Sequence, residues 1–158
     1  MVKGALKSLG PSKLRCYIDV MNWFYSKGYR RLARYYEKKI MSTFSCHIMP
    51  GACVDLSVHF PHALGIIIGR GATVKENVTI LQNVTIGSSI GADLKGNDTT
   101  MPTIENNVKI FAGAVIAGKI TIGHNSFIGA NAVVTTTVPP FSLVVGFNNI
   151  KPLPEKFR

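Results

Sequence analysis

The sequence has no apolar run near the ~18 residues that cross a bilayer as a helix, and its start, MVKGALKSLG, has no signal-type apolar stretch. A helical membrane span is excluded on that count, and a cytoplasmic location is expected. Cysteine is scarce and odd in number: Cys16, Cys46 and Cys53 lack metal-site spacing, so reduced thiols are expected rather than a disulfide framework. Acidic residues are few, 8 against 18 Lys and Arg, for a net charge of +10. What is there is otherwise ordinary. With 46% hydrophobic and 16% charged residues in 158, one domain with a real core is expected and global disorder is not.

The positive charge is uneven. Residues 1–40 hold ten Lys and Arg and two acids, whereas 41–158 hold eight and six. Attraction to polyanions such as anionic lipid headgroups, acidic glycans or nucleic acid therefore concentrates at the N-terminus. The plain alternative is a solvated helical face. No nucleic-acid-binding motif accompanies the charge, and no nucleic-acid partner is expected.

Aliphatic residues recur every six positions at Val74, Ile80 and Ile86, and again at Ile104, Ile110, Ile116, Ile122, Ile128 and Val134; Ile48, Val54 and Phe60 share the spacing. A second apolar residue lies two positions earlier at many of these, as in Val78-Thr79-Ile80 and Ile120-Thr121-Ile122. That is strand alternation, with both apolar side chains on one face. Gly, Ala or Asn follows, suited to tight corners. Short strand and corner every six residues predict a hexapeptide parallel β-helix, an all-β solenoid whose coils take three units each. A helix would need a period of 3.6.

Two interruptions break the period. Between Phe60 and Ile68 the spacing is eight, around Pro61-His62-Ala63-Leu64. From Ser88 to Thr103 it lapses into SSIGADLKGNDTTMPT, read as an extruded loop. Interruptions in a rigid solenoid are where binding surfaces are placed. Before the repeat, Leu14, Ile18, Met21, Trp23-Phe24-Tyr25, Leu32, Tyr35-Tyr36 and Ile40 make an apolar stripe over 12–41, with a break at Gly28. One or two helices capping the first coil are expected. The organisation predicted is a basic helical cap over 1–45, a β-helix over 46–138 with the loop at 88–103, and a tail over 139–158 that leaves the repeat at Pro139-Pro140.

The strings HALGIIIG (62–69), ILQNVTIG (80–87) and IAGKITIGHNSFIGANAVV (116–134), followed by VPP, resemble the serine acetyltransferase-like branch of the hexapeptide acyltransferases over roughly 46–146. The resemblance implies a left-handed coil, a homotrimer with sites between subunits, and acetyl-CoA as co-substrate. It implies that His62 is the general base, since an imidazole can take a hydroxyl proton as the oxygen attacks a thioester. It further places CoA contacts at Gly87, Ser88, Ala112, Gly113, Ala117 and Ala130, with Lys151 facing a CoA phosphate. Those small residues also suit plain corners.

The acceptor side departs from the family. Serine acetyltransferases carry an aspartate immediately before the histidine, where this chain has Pro61. Their loop has an Arg-His pair before a proline, where this chain has Thr100-Met101 before Pro102. The aspartate supporting their histidine aligns with His47. An amino-acid acceptor needs paired charges for its ends. A sugar hydroxyl of a capsule, exopolysaccharide or O-antigen is therefore the preferred acceptor, gripped by His47, Gln82, Asn83 and loop residues. A lipid-linked glycan would bring peripheral contact with the inner membrane surface through the basic N-terminus. Serine is the alternative. A zinc hydratase using His47, His59, His62 or His124 is a further one, but the histidine spacing does not match and no metal is expected. A non-catalytic scaffold is the last.

Overall fold

The computed structural model describes residues 11–89 and 100–157, and the expectations for 1–10 and for the centre of the 88–103 loop lie outside the described residues. The helical segment forms α1 (Pro11–Ser26) and α2 (Arg30–Phe44), separated at Gly28. Leu14, Ile18, Met21, Ala33 and Ile40 are buried, but Trp23, Leu32 and Tyr35 are more than 40% exposed. The buried stripe is thus narrower than the apolar one, because two helices against one coil end leave each an outer face.

The period of six becomes a stack of coils. The first contributes β1 (His47–Ile48) and β2 (Cys53–Val54). The second contributes β3 (Ile67–Ile68), β4 (Thr73–Val74) and β5 (Thr79–Ile80). The third contributes β6 (Thr85–Gly87), β7 (Thr103–Ile104) and β8 (Lys109–Ile110). The fourth contributes β9 (Val115–Ala117), β10 (Thr121–Ile122) and β11 (Phe127–Ile128). The fifth contributes β12 (Val133–Val134) and β13 (Ser142–Val145), after which β14 (Asn149–Pro152) turns back. The strands form three walls: sheet A in the order β1-β3-β6-β9-β12, sheet B β10-β7-β4-β2 and sheet C β14-β13-β11-β8-β5. All neighbours are parallel except β13 and β14. The architecture is a left-handed parallel β-helix with a short helical N-terminus.

The register resolves both interruptions. Ile48 pairs with Ile68 and Val54 with Val74, so the His62 corner carries two residues more than a regular coil. Ile86 pairs with Ile116 while Val74 pairs with Ile104, so no coil intervenes between β6 and β7. β6 and β7 are thus consecutive strands, one in sheet A and the next in sheet B.

Corners stack as well as strands. Asn77, Asn107 and Asn125 all have positive φ, between 55° and 60°, at the corner between sheets B and C. Asparagine tolerates that conformation better than other side chains. At the corner between sheets C and A, Gly65 and Gly113 have φ of 65° and 73°, and a Cβ on either would strike the carboxamide of Asn83 or Asn131 in the next coil.

The helices close the lower end. The Asn22 carboxamide donates to Ala52 O at 2.8 Å and accepts from Gly51 N–H at 3.0 Å. Arg15 Nη2 donates to Val54 O at 2.6 Å. These bonds satisfy the backbone at the unpaired edge of β2, which an open solenoid end would leave orphaned.

The upper end differs from the expected tail. Leu143 and Val144 stack in register on Phe127 and Ile128, so parallel packing continues past Pro139-Pro140. The last turn is shorter than a regular coil, and buried Ser126 adjusts it. Its hydroxyl donates to Pro139 O and accepts from Ser142 N–H, both at 3.1 Å. Gly123 lies directly beneath, where a Cβ would run into the backbone of Pro139 and Pro140. Gly123→Ala is expected to destabilise the chain by about 1–3 kcal/mol through overpacking. A denaturant midpoint unchanged from the parent would show that the Pro-Pro segment yields freely.

Candidate active site

Sheet A separates two edges, and the sequence-selected residues divide between them. One edge is the corner between sheets C and A. A backbone ladder runs up it: Gly65 N–H donates to Ser45 O, Asn83 N–H to Leu64 O, Gly113 N–H to Gln82 O and Asn131 N–H to Ala112 O, at 2.9–3.0 Å. His62, Gln82, Asn83, Ala112, Gly113 and Ala130 therefore belong to one continuous column. The other edge is the corner between sheets A and B. Gly87 pairs with Ala117, and Gly118 N–H donates to Gly87 O at 3.0 Å. Ser88 follows Gly87 there.

His62 sits in the two-residue-longer corner, exposed, with no hydrogen bond to its ring among the described residues. The turn is held by the backbone instead, with His62 O accepting from Leu64 N–H at 2.9 Å. Such a ring can accept a proton from outside the chain. Gln82, twenty residues on in the same column, has a buried Oε1 that meets no donor among the described residues. A buried acceptor without a partner costs about 1–3 kcal/mol, so a donor from a ligand or a second subunit would be stabilising there.

The small residues differ in what they leave open. Among the described residues nothing lies within 4 Å of where a Cβ on Gly87 would stand. Gly113 is packed under Asn131, so the stacking of corners accounts for it without a ligand. Lys151 lies on β14, on neither edge of sheet A, and lines a cavity of about 540 Å³ with Pro139, Pro140 and Phe141. The tail folds back along sheet C, which places Lys151 at the last turn of the stack.

His47 is half-buried on β1, and its Nε2 lies 3.0 Å from Glu37 Oε1 on α2. It ties the helical cap to sheet A, and no bond to His62 is seen. The spacing of a carboxylate on a helix ten residues away carried no signal for that pair. His124 is engaged by Asn125 Nδ2 at 2.8 Å and by the edge of Phe141, while His59 is exposed on sheet C. Among the described residues no three His, Cys, Asp or Glu side chains converge as a metal would need.

Met101, in the segment aligned with the family's Arg-His pair, belongs to the sheet A–sheet B edge. Its methyl covers Gly69, where a Cβ would collide with it. The position offers an apolar surface and no charge.

Residues 101–136 match the bacterial transferase hexapeptide family (six repeats). The chain is 41% identical to the serine acetyltransferase of Mycobacterium tuberculosis over 125 residues, covering 79% of this chain and 53% of that protein. Its fold superposes on the serine acetyltransferase of Neisseria gonorrhoeae with a TM-score of 0.82, at 32% identity, over 91% of this chain and 54% of the other. A serine acetyltransferase from Brucella abortus in complex with coenzyme A gives 0.79 at 30% identity, over 86% and 56%. The chain spans about half the length of the curated relatives it matches. Repeat, wall topology and relatives agree: the chain carries the hexapeptide-transferase repeat over 101–136 and has serine acetyltransferases as homologues.

Proposed function

We propose that the chain transfers an acetyl group from acetyl-CoA to an alcohol, with His62 as general base. The imidazole takes the hydroxyl proton while the oxygen attacks the thioester carbonyl. Collapse of the tetrahedral intermediate breaks the C–S bond, and the CoA thiolate recovers the proton from the imidazolium. The exposed, unpartnered ring of His62, at the longer corner of an otherwise regular stack, is the observation that carries the reading. The CoA complex of the Brucella abortus relative supports the co-substrate.

The same geometry supports a homotrimer. His62 and Gln82 lie on one edge of sheet A, and Gly87, Ser88 and Ala117 lie on the other. Within one chain the wall stands between them. Packed copies would bring the His62 edge of one against the loop edge of the next, completing a groove in which a thioester meets a base. The cytoplasm, where acetyl-CoA is available, is the location that suits the reaction.

Serine is the acceptor we adopt, supported by the relatives' names. A sugar hydroxyl of a cell-surface polysaccharide is the second reading, favoured by Pro61 and by Met101, which place no charges for an amino acid's two ends. Contact of the basic N-terminus with a membrane belongs only to a lipid-linked acceptor. Acetyl-CoA consumption measured with serine, nucleotide sugars and lipid-linked oligosaccharides separates the two. Turnover is expected with serine. Turnover with sugars alone would transfer the assignment to the second reading, and none with any acceptor would remove the activity.

A further inference from the structure

We propose that Arg30, Arg31, Arg34 and Arg70, gathered with Tyr25 around one cavity, bind a phosphate group. The cavity, about 410 Å³, lies where α2 meets the corner of sheets A and B, at the edge opposite His62. Three of the arginines come from α2, and Arg70 comes from the second coil forty residues later.

The cluster is both charged and pre-arranged. The Arg30 guanidinium lies 4.5 Å from the Tyr25 ring centroid and that of Arg70 lies 5.7 Å from it. Arg70 Nε also donates to Pro50 O at 3.2 Å. Stacking orients a guanidinium while leaving most of its N–H donors unused. Gly51 makes the arrangement possible, since a Cβ there would press on Tyr25 Cε1 at 3.0 Å and Arg70 Cγ at 3.1 Å.

Among the described residues the charge is only partly compensated. Glu37 is the one acid among them that lines the cavity, and its Oε1 lies 3.0 Å from His47 Nε2. None of the four arginines makes an ion pair among the described residues. Four like charges around a concavity repel one another and raise the local concentration of anions. Planar guanidinium forks match the oxygens of a phosphate, each charge-assisted bond being stronger than a neutral one. The inference does not depend on acetyl transfer. The phosphate can belong to a soluble ester or to a lipid headgroup, and the test separates these.

The full chain is titrated with inorganic pyrophosphate by calorimetry, and separately with vesicles of phosphatidylcholine alone or mixed with phosphatidylglycerol. Saturable binding is expected to weaken about tenfold or more in the Arg34→Gln, Arg70→Gln double variant. The Lys38→Gln, Lys39→Gln variant makes the same charge change on α2 away from the cavity, and is expected to bind as the parent does. Pyrophosphate binding without vesicle binding identifies a soluble ester; binding to the anionic vesicles alone identifies a headgroup. Should the double glutamine variant fail to fold, Arg70→Lys keeps the charge but loses the fork and is expected to weaken binding severalfold. No binding of either probe would overturn the proposal. Equal losses in the two double variants, or no loss in the arginine variants, would do the same.

Discussion

His62→Ala is expected to lower kcat for acetyl transfer by about 10²–10⁴-fold, the usual contribution of a positioned general base. The fold should be untouched. His62 is exposed, its turn is held through backbone groups, and alanine can adopt the same turn. The thermal transition of the variant should therefore superpose on that of the parent. The KM for acetyl-CoA should change little, because the imidazole acts on the acceptor proton rather than on the CoA arm. Undiminished turnover in His62→Ala, with parental stability, would end the assignment of His62 as base.

Ile116→Ala is expected to destabilise the chain by about 2–5 kcal/mol, the range for truncating a fully buried aliphatic residue. Ile116 is completely buried in β9, between Ile86 of β6 and Val134 of β12 in the same wall. Each neighbour is held by parallel hydrogen bonds on both sides, so the stack cannot slide to fill the cavity. Failure to collapse is what brings such substitutions to the upper part of the range. Exposed Ile67 on the same sheet supplies the control, and Ile67→Ala should stay within about 0.5 kcal/mol. Urea unfolding measures both. A cost below about 1 kcal/mol at Ile116 would show that the column repacks.

Both expectations draw on features of unequal visibility in the chain. The hexad was legible because each coil repeats the same local problem: an apolar pair inward, a polar residue outward, then a corner. Ile104 to Val134 announces it six times over, and the registers Ile104↔Ile122 and Ile110↔Ile128 follow from it. The longer corner at His62 was legible for the same reason, as a miscount in a regular series. The ending was not. Ser126 stands where Val78 and Val108 stand in earlier coils, and its polarity reads as decay of the repeat. It is a core hydroxyl serving a shortened turn, visible only when Pro139 O and Ser142 N–H are seen beside it.

The helical cap shows the other kind of loss. Trp23, Leu32 and Tyr35 fit the apolar stripe by spacing, yet remain exposed, while Ala33 is buried. Spacing states which residues share a helix face; it does not state which face meets the solenoid.

From its sequence alone, this protein is a three-walled stack of short strands with an interrupted corner at His62 and a basic helical beginning, because those properties repeat locally or sit in one stretch of chain. Tertiary structure alone decided that His47 belongs to Glu37, that His62 and Gln82 share one edge while Gly87 and Ala117 share the other, and that Arg70 joins three arginines from α2. Those pairings cross between elements far apart in the chain, and their geometry is set by how the cap and the coils pack. Hydrophobic periodicity is blind to such contacts, since it records only which side of its own element each residue faces.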